Sequence, residues 1–215
     1  MTQPPYARTI PEELVLVCAE PAGGVVRMRG GFHRVLAGAV LAEMLVGGAI
    51  AVEGRHITQY QPFAGQDPVA AGVLARLGEA GKRRRPPSLD LAVRRIGRDA
   101  VGPVLASLTA RGLLSSERRR FLGVVPYRRH RVVPPTAGQE IAARIRAAVL
   151  SPATAAERDR QLAGLLAAGG LARQVFPGPA GADVRRALRP LGRELPIARA
   201  VQRVTSSDAA AANSG

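Results

Sequence analysis

The densest run of apolar positions in this chain is Phe32–Val46, with the sequence FHRVLAGAVLAEMLV. Its only polar side chains are those of His33, Arg34 and Glu43. A helix that is apolar on nearly every side has to be covered by other helices. This stretch makes about four turns, too few to cross a bilayer, which takes about 20 residues. The pattern therefore predicts the buried central helix of a mainly α, single-domain helical bundle.

Capping signals, prolines and apolar periodicity predict further short helices around this centre. Thr9 with Glu12, and Thr154 with Glu157, have the spacing of capping boxes. The helices are expected near residues 9–18, 32–46, 68–77, 88–96, 98–111, 136–149, 155–166, 182–191 and 196–204. The same reasoning assigns residues 1–8 to a flexible N-terminal arm, 9–205 to the domain, and 206–215 to a disordered tail of small residues.

Two segments have the alternation and turn residues of β-hairpins, and residues 25–29 could form a short strand. The first hairpin is expected over residues 50–58, around Glu53 and Gly54. The second covers residues 113–133, with strands near 113–115 and 127–133 and a long tip between them. Four apolar residues lie in this tip beside three arginines: Phe121, Leu122, Val124 and Val125. Such a tip either packs back onto the domain or contacts a partner subunit or a membrane surface.

Several acidic residues are expected to form ion pairs instead of catalysing reactions. Glu43, on the central helix, should pair with a nearby arginine. Glu140 and Arg144 have the i, i+4 spacing of a helix-surface pair. On the helix that follows Thr154, the residues Arg158, Asp159 and Arg160 should face outward.

Charge indicates the kind of partner. The formal net charge is +15 with a pI near 11.6, and Lys82 is the only lysine beside 30 arginines. Guanidinium groups bind phosphate through paired hydrogen bonds, which favours nucleic acid or anionic lipid as a partner. A bias toward arginine in the coding sequence would give the same composition on an ordinary solvated surface.

Motifs for catalysis or for a bound cofactor are missing from the sequence. It has no phosphate-binding loop, no dinucleotide fingerprint, no nucleophile elbow and no metal-ligand spacing among His33, His56 and His130. Cys18 is the only cysteine, which leaves no intramolecular disulfide. We therefore expect a non-enzymatic protein without cofactor or metal. With no signal-peptide pattern, we expect it to be cytoplasmic and peripheral to the membrane.

Nucleic-acid binding is an alternative function. The order of helix 88–96, helix 98–111 and an arginine-rich hairpin is that of a winged helix-turn-helix. The second helix, however, offers few side chains that read bases, such as Asp99, Ser107, Thr109 and Arg111. Binding through backbone phosphates alone would be weakly specific.

An ordered series of segments resembles the Golgi phosphoprotein 3 family. EELVLVCAEPAGG followed by LAGAVLAEMLVGGAIAV is similar to the start of that family's domain. AGQDPVAAGVLARL, LTARGLLSSERRRFLG and RIRAAVLSPATAAERDRQLAGLLAAGGL resemble later segments in the same order. The similarity covers most of residues 11–205.

The resemblance implies a helical domain with a protruding β-hairpin. It also implies a peripheral membrane adaptor that binds phosphatidylinositol 4-phosphate in a basic pocket and self-associates through the hairpin, here residues 113–133. Eukaryotic relatives hold glycosyltransferase tails, whereas the client protein of this chain is not identified by its sequence. In this reading nucleic acid is a partner only under the alternative function.

Residue by residue, the resemblance transfers only part of the lipid pocket to this chain. The family's pocket tryptophan falls near Met28, an arginine falls at Ala37, and two later basic positions fall at Arg98 and Val101. Further arginines lie close in the sequence and could rebuild a basic pocket: Arg29, Arg34, Arg94 and Arg95. We therefore expect Arg98, with Arg94 and Arg34, to bind phosphate or lipid headgroups.

Overall fold

The fold is a helical bundle, as the apolar pattern predicts, and the computed structural model describes residues 8–20, 24–28, 30–62, 68–81, 86–121 and 125–213. The helices are α1 (Ile10–Val17), α2 (Phe32–Val46), α3 (Pro68–Gly81), α4 (Leu89–Ala110), α5 (Ala137–Leu150), α6 (Glu157–Ala168), α7 (Ala172–Val175), α8 (Ala182–Glu194) and α9 (Pro196–Asn213). The strands β1 (Ile50–Glu53) and β2 (His56–Tyr60) form one antiparallel hairpin, and β3 (Leu114–Phe121) and β4 (Val125–Val132) form another. The mainly α class is thereby confirmed.

Helix α2 lies at the centre of the bundle, where α1, α3, α4, α6, α9 and β1 pack against it. Two of these neighbours approach it closely at Gly38. A Cβ added there would lie 2.5 Å from Cγ2 of Val201 on α9 and 2.7 Å from Cδ2 of Leu165 on α6. A larger residue would push these helices apart, so glycine allows the tight crossing. Among the described helices, none is both long and apolar enough to cross a membrane.

Helix α4 is one continuous helix, although the sequence predicts two. It runs through the expected break near residue 97 and contains Pro103 in its interior. Pro103 is on the exposed side of the helix, where water can bond the carbonyl group that loses its N–H donor. The opposite face, with Ala100, Val104 and Leu108, is buried, and α4 packs against α2. The turn that a winged helix-turn-helix requires is therefore absent, and that architecture is wrong for this chain.

The second hairpin is longer than expected. Its strands are eight residues each and pair in register from Leu114 with Val132 to Phe121 with Val125, so much of the expected tip is strand. Leu114 and Val132 are buried at its base. The short strand expected over residues 25–29 is reduced to single bridges at Val25 and Val26. The backbone there bonds to the end of β4: the Gly24 carbonyl accepts from the Val132 N–H, and the Val26 N–H donates to the His130 carbonyl.

Of the two capping boxes predicted from the sequence, the first forms and the second does not. Thr9 and Glu12 form the expected capping box, and the Ser88 hydroxyl accepts from the Leu91 N–H at 3.3 Å. Thr154 instead lies in a 3-10 turn, its hydroxyl donating to the Ser151 carbonyl, and α6 begins without a side-chain cap. Thr136 precedes α5 but likewise makes no capping bond.

The end of the chain corrects another expectation. Residues 206–213, expected to be part of a disordered tail, continue helix α9. Two features stabilise this extension. Residues 209–212 are all alanine, the best helix former, and Asp208 makes contacts that are described below. Residues 1–7 of the expected N-terminal arm lie outside the described residues.

On and around α1 lies a set of buried or half-buried carboxylates bound by arginines, which we call the α1 carboxylate network. Its members are Glu12, Glu13, Glu43 and Asp159 with Arg111, Arg144 and Arg158. Glu12 accepts from Nη1 of Arg111 at 2.6 Å and from the Ser107 hydroxyl at 2.9 Å. Glu43 accepts from the Ile10 N–H at 2.6 Å and pairs with Arg158 at 3.2 Å. The expectation that Glu43 pairs with an arginine is confirmed.

Arg144 is the centre of the other half of the network. It donates to Glu13 at 2.6 Å and to Asp159 at 2.7 Å, so the expected pair between Glu140 and Arg144 is wrong. Asp159 is buried rather than facing outward. Burial acts to lower the pKa of Arg144, but the bonds and charges of both carboxylates raise it overall. Attraction at these buried carboxylates is less screened by water than on the surface, which favours the inward pairs.

Candidate anion-binding surface

The first turn of α2 meets the middle of α4 at Gly97. A Cβ at Gly97 would lie 3.0 Å from Cδ2 of His33 and 3.1 Å from Nη1 of Arg34. The lack of a side chain lets Arg34 reach across α4 and donate from Nη1 to the Arg94 carbonyl at 3.0 Å. Gly97 thereby brings together two arginines that are 60 residues apart in the chain.

Asp208 on α9 binds both of these arginines. One of its oxygens accepts from Nε of Arg34 at 3.0 Å and the other from Nη1 of Arg94 at 2.6 Å. Desolvation acts to raise the pKa of Asp208, but hydrogen bonds from Arg94 and Arg34 hold it below its ordinary value. Asp208 is therefore ionised at neutral pH and compensates one of the two positive charges.

Arg98 differs from this pair. It is exposed on α4, one helical turn beyond Arg94, and within the described residues it has no ion-pair partner. Burial lowers the pKa of His33, and the positive charges of Arg34 and Arg98 lower it further, while Asp208 opposes them. His33 is therefore neutral at pH 7 and adds no charge. We call Arg34, Arg94, Arg98 and Asp208 the α4 basic surface; its formal charge is +2.

The remaining positions of the expected lipid pocket differ in solvent exposure. Met28 is exposed at 37%, which leaves its side chain accessible. Ala37 is completely buried, so this position cannot contact a ligand. Val101 is half-buried and Arg95 is exposed on α4. Arg29 lies outside the described residues.

The second expected contact is the apolar tip of the hairpin. Phe121 and Val125 are the last paired residues of β3 and β4. Leu122 and Val124 lie outside the described residues. The backbone thus places Phe121 opposite Val125 at the end of the hairpin farthest from the buried pair at its base, and the contacts of the tip stay a prediction.

Sequence reasoning missed Asp208, which organises the α4 basic surface. The small-residue composition of residues 206–215 suggested disorder. The alanine run after Asp208 was an available signal for helix. Continuing α9 at 3.6 residues per turn would have placed this carboxylate on an ordered helix, as a candidate partner for arginines elsewhere.

Comparison with known families gives a single clear result. The family model for Golgi phosphoprotein 3 (GPP34) matches residues 10–207, nearly the whole chain. The match includes α1 through most of α9 and so contains every residue of the α4 basic surface except Asp208, which lies just beyond it. A search of curated proteins finds no match.

Proposed function

Because the chain belongs to the Golgi phosphoprotein 3 family, we propose that it is a peripheral membrane protein that binds anionic phospholipid headgroups through the α4 basic surface. The observation that carries this proposal is Arg98, an exposed guanidinium with no acidic partner in the described part of the chain, close to Arg34 and Arg94. Phosphatidylinositol 4-phosphate is the headgroup suggested by the family resemblance, and a role as a non-enzymatic adaptor belongs to the same proposal.

Pairing decides how much each arginine contributes. Arg34 and Arg94 already donate to Asp208, so a phosphate group has to compete with that carboxylate for them. Arg98 offers its charge without such competition. A basic residue near an anionic membrane contributes about 1 kcal/mol to binding. We therefore expect Arg98 to matter more than Arg94, although the two lie on one helix.

Liposome co-sedimentation at physiological salt tests this order. Phosphatidylcholine vesicles are compared with vesicles that also contain phosphatidylserine, with or without phosphatidylinositol 4-phosphate. We expect pelleting only with the anionic vesicles, a loss of about fivefold in affinity for Arg98→Ala, and a smaller loss for Arg94→Ala. Arg186→Ala on α8 removes the same formal charge from another helix and is the matched control.

The competing outcomes are distinct. Equal losses for Arg98→Ala and Arg186→Ala would mean that net charge alone drives binding, without a defined surface. No pelleting of the wild type with any vesicle would overturn the proposal. Duplex DNA is added as a competitor, because complete displacement of the vesicles by DNA would show that nucleic acid is the preferred partner.

The hairpin of β3 and β4 is proposed as a second contact, either between copies of this chain or with the membrane. Its support is the apolar character of Phe121, Leu122, Val124 and Val125 in the sequence, together with the pairing of Phe121 and Val125 at the last rung of the hairpin. We expect Phe121→Asp combined with Leu122→Asp to leave the helical circular dichroism unchanged and to lower self-association or liposome pelleting. Analytical ultracentrifugation and co-sedimentation that both match the wild type would contradict this second contact.

A further inference from the structure

A second concentration of arginines lines a cleft between α8 and the ends of its neighbours. The cleft has a volume of about 390 Å³, within the range of small-ligand sites. Its arginines are Arg173 on α7 and Arg185, Arg189 and Arg193 on α8. The three on α8 follow i, i+4 and i+8, which places them on one face of the helix about 6 Å apart. We call this site the α8 arginine cleft.

Small residues make room between these arginines. Ala167, Ala168, Gly170 and Ala172 line the side formed by α6 and α7, and Gly192 lies in the α8 wall. Gln202 of α9 adds a neutral amide that can donate or accept. Small side chains therefore leave open space in the cleft, and long cationic side chains line it.

Among the described residues that line the cleft, none is a carboxylate. Arg173, Arg189 and Arg193 are exposed, and none of them forms an ion pair with a described residue. The acid nearest in sequence that does form one, Asp183, binds Arg186 at 3.2 Å. Like charges one helical turn apart destabilise a helix. A cluster that keeps this repulsion without local compensation is the arrangement expected where a ligand supplies the missing negative charge.

Arg185 is held in place without being neutralised. Its Nη1 donates to the carbonyls of Phe176 at 2.5 Å and Gly178 at 2.8 Å. Both acceptors are uncharged, so the full positive charge remains. Its other donors, on Nε and Nη2, make no bond to the described residues. A guanidinium fixed in this way is preorganised to bind an anion, because less side-chain freedom is lost when the anion arrives.

The cleft is separate from the α4 basic surface. Both include a residue of α9, but Gln202 and Asp208 are six positions apart, about 9 Å along the helix and on different sides of it. Between them, Arg203 faces α4 and binds Asp90 through two hydrogen bonds of 2.6 and 3.1 Å. The two groups of arginines can therefore be changed independently.

From this geometry we infer that the α8 arginine cleft binds a phosphate group carrying more than one negative charge, either free or at the head of a lipid. Four guanidinium groups without a carboxylate match a dianion or trianion better than a single carboxylate, and each can form paired bonds to phosphate oxygens. The amide of Gln202 can donate to a further oxygen. This site is additional to the proposed headgroup site and does not depend on it.

Calorimetric titration of the full chain with pyrophosphate, at constant ionic strength, tests the inference directly. We expect binding by the wild type and at least about tenfold weaker binding by the double variant Arg189→Ala with Arg193→Ala. The matched variant Arg189→Lys with Arg193→Lys keeps the charge but loses the paired geometry, and its affinity should lie between them. Arg186→Ala removes one charge from the same helix outside the cleft lining and should bind like the wild type. Arg98→Ala is titrated as well and shows whether the α4 basic surface takes part. Thermal unfolding of each variant checks that the fold is intact.

Vesicles distinguish the two sources of phosphate. If the cleft takes a lipid headgroup, the double alanine variant also pellets less with phosphatidic acid vesicles, and pyrophosphate releases the wild type from them. If it takes a free phosphate compound, the variant loses pyrophosphate binding but pellets normally. Either result supports the cleft as a phosphate site.

Two results would overturn the inference: no pyrophosphate binding by the wild type, or equal affinities of the wild type and the double alanine variant. If Arg98→Ala loses pyrophosphate binding while the double alanine variant binds like the wild type, the inference is also overturned, and the phosphate binds at the α4 basic surface instead. A wild type that binds pyrophosphate but pellets with no vesicle would leave the cleft standing and contradict only the proposed membrane function.

Discussion

Arginine has different neighbours in two regions of this protein. In the α1 carboxylate network, Arg144 lies between Glu13 and Asp159 at 2.6 and 2.7 Å. In the α8 arginine cleft, Arg189 lies between two other arginines, one turn away on each side, and the described lining residues include no carboxylate. The residue type is the same, and only the neighbours differ. Net charge alone therefore does not show where a strongly basic protein binds its partner.

This difference separates stability from binding. A paired guanidinium that satisfies a buried carboxylate holds helices together, and removing either partner leaves an uncompensated charge. An exposed guanidinium without an acid contributes little to stability and remains available to a ligand. The α4 basic surface is intermediate, since Asp208 binds two of its arginines, whereas Arg98 has no ion-pair partner in the part of the chain that the structure describes.

The largest effect is expected in the network. Glu13 has a side chain only 4% exposed and binds both Arg144 and Arg158. Replacing Glu13 with Ala should lower the free energy of unfolding by about 3 kcal/mol, because two guanidinium groups lose a buried partner. Chemical denaturation followed by circular dichroism measures this change.

The control for that variant is Asp183→Ala, which breaks the exposed pair of Asp183 and Arg186. Its change in unfolding free energy should stay below about 0.5 kcal/mol. Similar losses in the two variants would mean that burial does not distinguish the network from surface pairs, and the comparison between the regions would fail.

Asp208→Asn should remove the ion-pair partner that Arg34 and Arg94 share on the α4 basic surface. The change keeps the shape of the side chain, removes its negative charge and frees Arg34 and Arg94 for an external anion. One added unit of positive charge should strengthen binding to anionic vesicles by about fivefold. Co-sedimentation measures this gain, and Asp183→Asn provides the same change of charge elsewhere. A gain of equal size in both variants would refute a role for the local surface.

The ion pairs of Asp90 with Arg203 and Arg55 should contribute to stability in a pH-dependent way. Hydrogen bonds from Arg203 hold the pKa of Asp90 below its ordinary value, with a smaller contribution from Arg55, while burial opposes them. A lowered native pKa stabilises the fold above the unfolded value near 4. This contribution disappears as the pH falls through the native pKa. Asp90→Asn should therefore lower stability by up to about 1 kcal/mol at pH 7 and by progressively less below pH 4.

Thermal or urea unfolding of the wild type and of Asp90→Asn across pH 2 to 7 would show this convergence, the range being chosen to bracket the ordinary carboxyl pKa of about 4. Asp183→Asn, a change of the same kind at the exposed pair with Arg186, is the comparison variant. A difference between the wild type and Asp90→Asn that is constant over the whole pH range would contradict an electrostatic origin.

The sequence predicted the helical elements better than their ends and partners. The apolar run of α2 is compatible only with a buried helix, and the predicted bounds, Phe32–Val46, are those of the structure. The continuity of α4 was not predictable from local signals, because Gly97 and Pro103 both favour a break. Tertiary contact overrides them: Gly97 provides room for His33 and Arg34, and Pro103 faces solvent.

The candidate sites were also predictable only in part: the residues could be selected from the sequence, but their partners could not. Resemblance selected Arg98, and proximity in the sequence added Arg34 and Arg94. The fold brings these last two together at Asp208. The sequence could not show that Asp208 neutralises part of this set, since the pairing joins residues 174 positions apart. The α8 arginines had a local signal, their i, i+4, i+8 spacing, but the absence of a facing carboxylate depends on α6, α7 and α9. Charge pairing between distant elements is a property of the fold.

The smallest effect on stability is expected in the α8 arginine cleft. Arg189→Ala removes a cation from between Arg185 and Arg193, and it replaces arginine with the best helix former. We expect the free energy of unfolding to stay constant or to rise by up to about 0.5 kcal/mol. Arg144→Ala, the matched change in the network, should instead lower it by about 2 kcal/mol, because two carboxylates lose their shared donor. A clear loss of stability in Arg189→Ala would show that these arginines are structural, and the contrast between paired and unpaired arginine would then not identify binding sites.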